Sequence, residues 1–153
     1  MKSISSLASL LIICALSVST YPCFAENGIG FFYIVLQWPG SYCNTKQGCC
    51  YPKNGKPAND FSIGGLWPFY FNGTFPTYCN PHSSFNLSKI SDLTKIMQQN
   101  WPSLACPRSD SKSLWSREWQ KYGTCSESLL NQHQYFEAAL NLKEKIHLLK
   151  ILN

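Results

Sequence analysis

The chain has 153 residues, 44% of them hydrophobic and 14% charged, with a formal net charge of +5 and eight cysteines. That length supports one domain burying roughly two-thirds of its unfolded surface and leaves no room for a second. The mild basic excess favours polyanions through counterion release, but no dense Lys/Arg run sharpens it, so charge alone does not select a partner.

The first residues read as a secretory leader, since Lys2 precedes an apolar run over residues 7–18 that is followed by small residues, with cleavage expected after Ala25. Ser19, Thr20 and Pro22 interrupt the run short of the ~20 apolar residues that a membrane span needs, so no membrane anchor is expected. Residues 1–25 are thus read as a signal and 26–153 as the domain, bound for the exterior or another secretory compartment such as the vacuole. Cys14 and Cys23 leave with the signal, and Cys43, Cys49, Cys50, Cys79, Cys106 and Cys125 remain. An even set in an exported chain implies disulfides. Adjacent Cys49 and Cys50 should reach different partners, because a bridge between them would strain the intervening peptide. No cysteine pair has the short ligand spacing of a zinc knuckle, and neither metal nor cofactor is expected. Asn72-Gly-Thr74 and Asn86-Leu-Ser88 are glycosylation sequons.

Residues 31–38 form a continuous apolar and aromatic run closed by Pro39-Gly40, which predicts a central strand buried on both faces. Residues 41–59 carry Cys43, Cys49 and Cys50 among Pro52, Asn54, Gly55 and Pro57, a composition of turns held by bridges. Residues 61–67 alternate large apolar residues with small ones and predict a second strand stopping at Pro68, with a weak point at Gly64-Gly65 that permits close backbone approach. Residues 69–85 read as irregular chain anchored by Cys79. Ser88 is the predicted cap of a helix that buries Ile90, Leu93, Ile96 and Met97 and ends near Trp101-Pro102. A second helix should begin at Ser113, carry Leu114, Trp115, Glu118, Trp119 and Tyr122, and terminate at Gly123. From Asn131 a third helical tract turns Phe136, Leu140 and Ile146 toward a core. There is no repeat, low-complexity segment or linker, and strands followed by helices predict an α+β domain.

Residues three and four apart stack along a helix, so Glu118, Lys121 and Tyr122 share one neighbouring surface. Taken alone, Glu118 and Lys121 read as a solvated pair worth about 0.3 to 0.5 kcal/mol, with Trp115 and Trp119 as core. His82 lies in an irregular Asn-Pro-His-Ser turn and reads as a surface residue, while His133 and His147 sit on helical tracts as solvent-facing or packing residues.

The segments Gln-Trp-Pro-Gly-Ser-Tyr-Cys at 37–43, Cys-Cys-Tyr-Pro at 49–52, Gly-Leu-Trp-Pro at 65–68, Asn-Trp-Pro-Ser-Leu-Ala-Cys-Pro at 100–107 and Lys-Tyr-Gly-Thr-Cys at 121–125 occur in one order along the chain. That order resembles the plant S-like ribonucleases of the ribonuclease T2 family. The resemblance implies a disulfide-bonded α+β fold and a metal-independent endonuclease reaction. In it the ribose 2′-hydroxyl attacks the adjacent phosphorus, the 5′-oxygen departs, and a 2′,3′-cyclic phosphate remains. One histidine takes the hydroxyl proton, another protonates the leaving oxygen, and a glutamate and a lysine, here Glu118 and Lys121, steady the charged intermediate state. The resemblance also places Gln37 and Trp67 near the base and phosphate subsites, and it implies the pairs Cys43–Cys49, Cys50–Cys106 and Cys79–Cys125.

The departures from the family pattern fall on the proton-moving groups. Gly64 and Tyr122 stand where the two catalytic segments carry histidine, and Arg117 stands where a further helix histidine helps to bind phosphate. Arginine can still hold phosphate but cannot act as a base near neutrality. Family members also continue with further strands and disulfides, so the fold is expected to be C-terminally truncated and to expose a sheet edge. The expectation is therefore a secreted, monomeric homologue that binds single-stranded RNA weakly and turns it over little or not at all. The alternatives are an active endoribonuclease using substitute groups, and a storage or defence protein or unstable relative with no catalysis.

Overall fold

The computed structural model describes residues 28–46, 48–51, 59–107 and 110–152. The leader expected over residues 1–25 and the turn residues Pro52, Asn54, Gly55 and Pro57 lie outside the described residues.

Strand β1 (Ile29–Gln37) pairs antiparallel with β2 (Ser62–Tyr70), and among the described residues these two strands are the whole sheet. Cross-strand partners share a face, so the register Phe31↔Phe69 and Tyr33↔Trp67 puts these four side chains on one side, while Phe32, Ile34 and Leu36 face the other with Leu66 and Pro68. The second side rests on the core. The first leaves Phe31 and Tyr33 exposed, which corrects the expectation of a central strand buried on both faces. An unbroken apolar run hid a half-buried strand because its outward positions are also aromatic. The second strand runs through Pro68 rather than stopping there, since the far edge of β2 needs no amide donor.

After β1, Pro39 starts the short helix α1 (Pro39–Cys43), an element not expected in this turn-rich region. The Cys43–Cys49 and Cys50–Cys106 bridges follow, and the Cys50 amide donates to the Leu104 carbonyl at 3.0 Å. The helix predicted from Ser88 is instead two pieces, a 3-10 turn (Leu87–Ile90) and α2 (Thr94–Asn100). Asn86 takes the capping role because its side chain accepts from the Ser88 amide at 2.9 Å. Gln132 then clamps the Asn86 backbone, accepting from its amide at 2.9 Å and donating to its carbonyl at 2.7 Å. Ile90 and Met97 are buried as expected, whereas Leu93 is half-buried and Ile96 is exposed.

Helix α3 (Ser111–Lys121) begins earlier than Ser113, since Asp110 accepts from the Lys112 amide at 3.0 Å and from the Ser113 hydroxyl at 2.6 Å. It ends at Lys121, before a second 3-10 turn (Gly123–Ser126). Gly123 is needed for space rather than for a left-handed cap, because a Cβ there would collide with the Trp119 ring. The Cys79–Cys125 bridge ties the chain after β2 to this corner. Helix α4 (Gln132–Lys145) opens with a capping box in which Asn131 accepts from the Gln134 amide at 3.0 Å while the Gln134 side chain accepts from the Asn131 amide at 2.9 Å. Phe136 and Leu140 enter the core; Ile146 instead caps the helix end, half-buried, before α5 (Leu148–Leu152).

The core gathers Trp101, Trp115, Trp119, Tyr135, Phe136, Ile90 and Met97 between the helices and the inner face of the sheet. Indole and phenol groups cannot be buried unpaired without cost, and most here find carbonyls. Trp115 donates to Trp101 O at 2.9 Å, Trp119 to Ser83 O at 3.1 Å, and Tyr135 to Leu66 O at 2.6 Å. The last of these fastens α4 to β2 immediately behind the residues that carry the motif.

Candidate active site

The site begins with an irregularity in β2. Val35 pairs with Gly65 but Leu36 pairs with Ile63, so Gly64 is an extra residue bulged out of the ladder. A bulge re-aims the side chain it carries, and a Cβ on Gly64 would lie 3.1 Å from Val35 Cγ1, on the side that Trp67 and Tyr33 occupy. Gly65 is required for a different reason. A Cβ there would overlap Trp67 Nε1 and stand 2.8 Å from Glu118 Oε2, so the absent side chain is what lets the indole and the carboxylate converge on the strand.

Helix α3 delivers the other half. Glu118 and Tyr122 lie four residues apart on one face. Tyr122 is buried and stacks on Trp67 with centroids 5.3 Å apart and planes 27° apart, and Lys121 Nζ sits 4.9 Å over the Tyr122 ring. Burial pushes the Glu118 carboxyl from 4.5 up to about 7, against partial opposition from Lys121, Trp67 and Arg117. The Trp67 indole faces this carboxylate without reaching hydrogen-bond geometry, and both Trp67 Nε1 and Glu118 Oε2 are buried without a partner. The Lys121 ammonium is held above its ordinary pKa chiefly by the Tyr122 hydroxyl. Burial raises the Tyr135 phenol strongly, with Glu118 adding to the effect, and its hydroxyl bond to Leu66 O places it behind the strand that carries Trp67.

The structure therefore brings together Gly64, Trp67, Glu118, Lys121 and Tyr122. Arg117 is exposed on the same helix and lines a shallow hollow with Ser103, Asp110, Ser113 and Ser116. Gln37 sits at the end of β1 paired with Ser62, whose hydroxyl donates to its carbonyl at 3.3 Å. The histidines are placed elsewhere. His82 is exposed in its turn, His133 pairs with Asp92 at 2.8 Å on α4, and His147 lies between α4 and α5. Gly65, Val35 and Tyr135 had not been singled out as site residues. The doubled glycine was the available signal, because two glycines inside a strand announce both a bulge and a close approach.

Cys43 is joined to Cys49, Cys50 to Cys106 and Cys79 to Cys125, as the resemblance implied. Asn72 and Asn86 are both exposed, and the Asn72 side chain accepts from the Thr74 amide at 2.9 Å and from its hydroxyl at 2.7 Å.

Comparison with known proteins agrees with this arrangement. The chain is 59% identical over 129 residues to the extracellular ribonuclease LE of Solanum lycopersicum, spanning 84% of this chain and 56% of that one. It is 53% identical over 128 residues to Ribonuclease 1 of Arabidopsis thaliana, again covering 84% of this chain and 56% of the relative. The chain thus spans about half the length of the curated relatives it matches. Among solved structures, RNase NT in complex with 5'-AMP superposes with a TM-score of 0.76 at 54% identity, over 80% of this chain and 60% of that one. Since the sequence model of the Ribonuclease T2 family also matches residues 29–153, the α+β fold, its three bridges and the segments that build this site are those of the ribonuclease T2 family, to which the chain belongs.

Proposed function

We propose that this chain is an RNA-binding ribonuclease T2 homologue with little or no capacity to cleave. The observation that carries the reading is the pair of positions flanking Glu118: Gly64 offers no side chain, and Tyr122 is a phenol locked between Trp67 and the core. Cleavage needs a group to take the 2′-hydroxyl proton and another to return a proton to the departing 5′-oxygen. Neither a glycine nor a phenol supplies the imidazole that exchanges a proton readily near neutrality. Each general acid or base contributes about 10²- to 10⁴-fold, so loss of both is severe even when the penalties do not add.

Binding groups are better preserved. Lys121 and Arg117 offer cations for phosphate, and the half-buried Trp67 ring, which the resemblance puts near the subsites, is an aromatic group of the kind on which a base stacks for about 1 to 3 kcal/mol. Residues 1–25 are read as a cleaved signal and 26–153 as the domain, a monomer exported with glycans at Asn72 and Asn86. Among the described residues no helix is long and apolar enough to cross a membrane. The test is incubation of the purified chain with RNA over about pH 4 to 8, scoring 2′,3′-cyclic ends, beside the Gly64→His/Tyr122→His double variant.

One observation favours a second reading, an active enzyme using a substitute group. Glu118 titrates near 7, which is where a general base works best. Its buried Oε2 argues against that role, since a base must reach the proton it removes. A Glu118→Gln variant separates the two readings: only under the second does it abolish a measurable activity.

A further inference from the structure

The turn at the end of β2 has a geometry that the RNA chemistry does not use. The Gly73 amide donates to Tyr70 O at 3.0 Å, and the Tyr70 amide donates to Thr74 O at 2.9 Å. Residues 71–73 are thus a tight loop with Gly73 at φ +83°, the left-handed position on which loops of this kind close. Tyr70 and Thr74 are its paired closing residues, and such a pair turns its side chains to one face. Asn72 joins them there, because its Oδ1 accepts from the Thr74 hydroxyl at 2.7 Å as well as from the Thr74 amide at 2.9 Å. Phe69 and Phe75, the residues just outside the pair, meet each other at 5.3 Å, as side chains alternating to the opposite face should.

An aromatic ring, the Asn of a sequon and the Thr of that sequon therefore share one side of an exposed turn, and the space over Gly73 is open. Tyr70 itself is only half-buried. Both bonds from Thr74 fall on Oδ1, so neither engages Nδ2, the atom that carries the sugar in a glycosylated asparagine. One face of a β-linked N-acetylglucosamine is a flat array of C–H groups, which suits the electron-rich face of an aromatic ring. Asn86 is built differently. Its side chain accepts from the Ser88 amide at 2.9 Å, and the neighbouring Phe85 packs edge-on against Phe136 in the core.

We propose that Asn72 is glycosylated and that its first N-acetylglucosamine docks on the Tyr70 ring, which makes this sugar a structural part of the turn. In the linkage step Nδ2 displaces the pyrophosphate of a lipid-linked oligosaccharide from the sugar's anomeric carbon, forming the N–C bond and releasing one proton. The proposal rests on the reading of the chain as an exported protein and is independent of whether the site cleaves RNA.

The experiment expresses the full chain through a eukaryotic secretory pathway and trims its sugars with an endoglycosidase to a single N-acetylglucosamine at each occupied site. Mass spectrometry should find Asn72 occupied. Thermal unfolding is then compared for the parent, Asn72→Gln, Tyr70→Ser and the double variant. Asn72→Gln also breaks the bonds to Thr74, so the readout is its coupling to Tyr70. The sugar-bearing residue should raise the melting temperature by about 2 to 4 °C more when Tyr70 is present than in Tyr70→Ser. Ser88→Ala, which abolishes the other sequon and keeps the Asn86 cap, should leave the melting temperature unchanged. Nuclear Overhauser contacts between the sugar and the Tyr70 ring are expected in the parent, and they decide the matter if Tyr70→Ser does not fold. An unoccupied Asn72 overturns the proposal together with the export reading. An occupied Asn72 whose effect is equal in both Tyr70 backgrounds, or whose sugar makes no contact with the ring, overturns the docking alone.

Discussion

Glu118 is held where desolvation outweighs the nearby cations, and that balance has a measurable sign. Its carboxyl moves from 4.5 to about 7 on folding, so between these values the folded state binds a proton that the unfolded state has released. Stability from this group is therefore complete at acid pH and declines as pH rises through about 7. Replacing Glu118 with Gln removes the titration, and the variant should gain on the parent by up to about 3 kcal/mol between those pH values in denaturant unfolding. A pH-independent difference would contradict the assignment. Gly65→Ala drives a Cβ into Trp67 and Glu118 and should cost about 1 to 3 kcal/mol by urea unfolding. Gly64, Tyr122, Glu118 and Lys121 could all be named from the sequence because motif order fixes them. The close approach of Glu118 to the strand was legible only as a doubled glycine, since the pairing shift between Val35 and Leu36 decides which of the two glycines meets the carboxylate.

At the scale of the elements, helices were legible and their starts were not. The periodicity of Trp115, Trp119, Phe136 and Leu140 reports burial directly, and all four are in the core. Caps are a competition among neighbouring polar side chains, which Asn86 wins over Ser88 and Asp110 over Ser113 through contacts that spacing alone does not rank. Asn86 wins with the help of Gln132, 46 residues away, and no local pattern reveals that. Where the cap is reciprocal the sequence suffices, as at Asn131 and Gln134. Asn131→Ala should lower stability by about 1 kcal/mol, read as a shift in the urea midpoint with an unchanged slope. The strands were harder, because aromatic residues on both sides of β1 erase the alternation that distinguishes an inner face from an outer one.

For the molecule as a whole, the disulfides and the tryptophan-rich core fasten the helices to a sheet of only two strands among the described residues. The long-range Cys50–Cys106 and Cys79–Cys125 bridges join segments 56 and 46 residues apart, and breaking either by Cys→Ser at both ends should cost about 2 to 4 kcal/mol in thermal or denaturant unfolding. The pairing was foreseeable through the family and not through counting, since adjacent Cys49 and Cys50 leave several partners open. We propose that a ribonuclease T2 scaffold lacking an imidazole at Gly64 and Tyr122 retains grip on RNA without efficient proton transfer. The direct measurement is the yield of 2′,3′-cyclic phosphate ends from RNA incubated with the purified unmodified chain over about pH 4 to 8. Ends at background are expected from this chain and ends well above it from Gly64→His/Tyr122→His; abundant ends from the unmodified chain, lost in Glu118→Gln, would overturn the proposal.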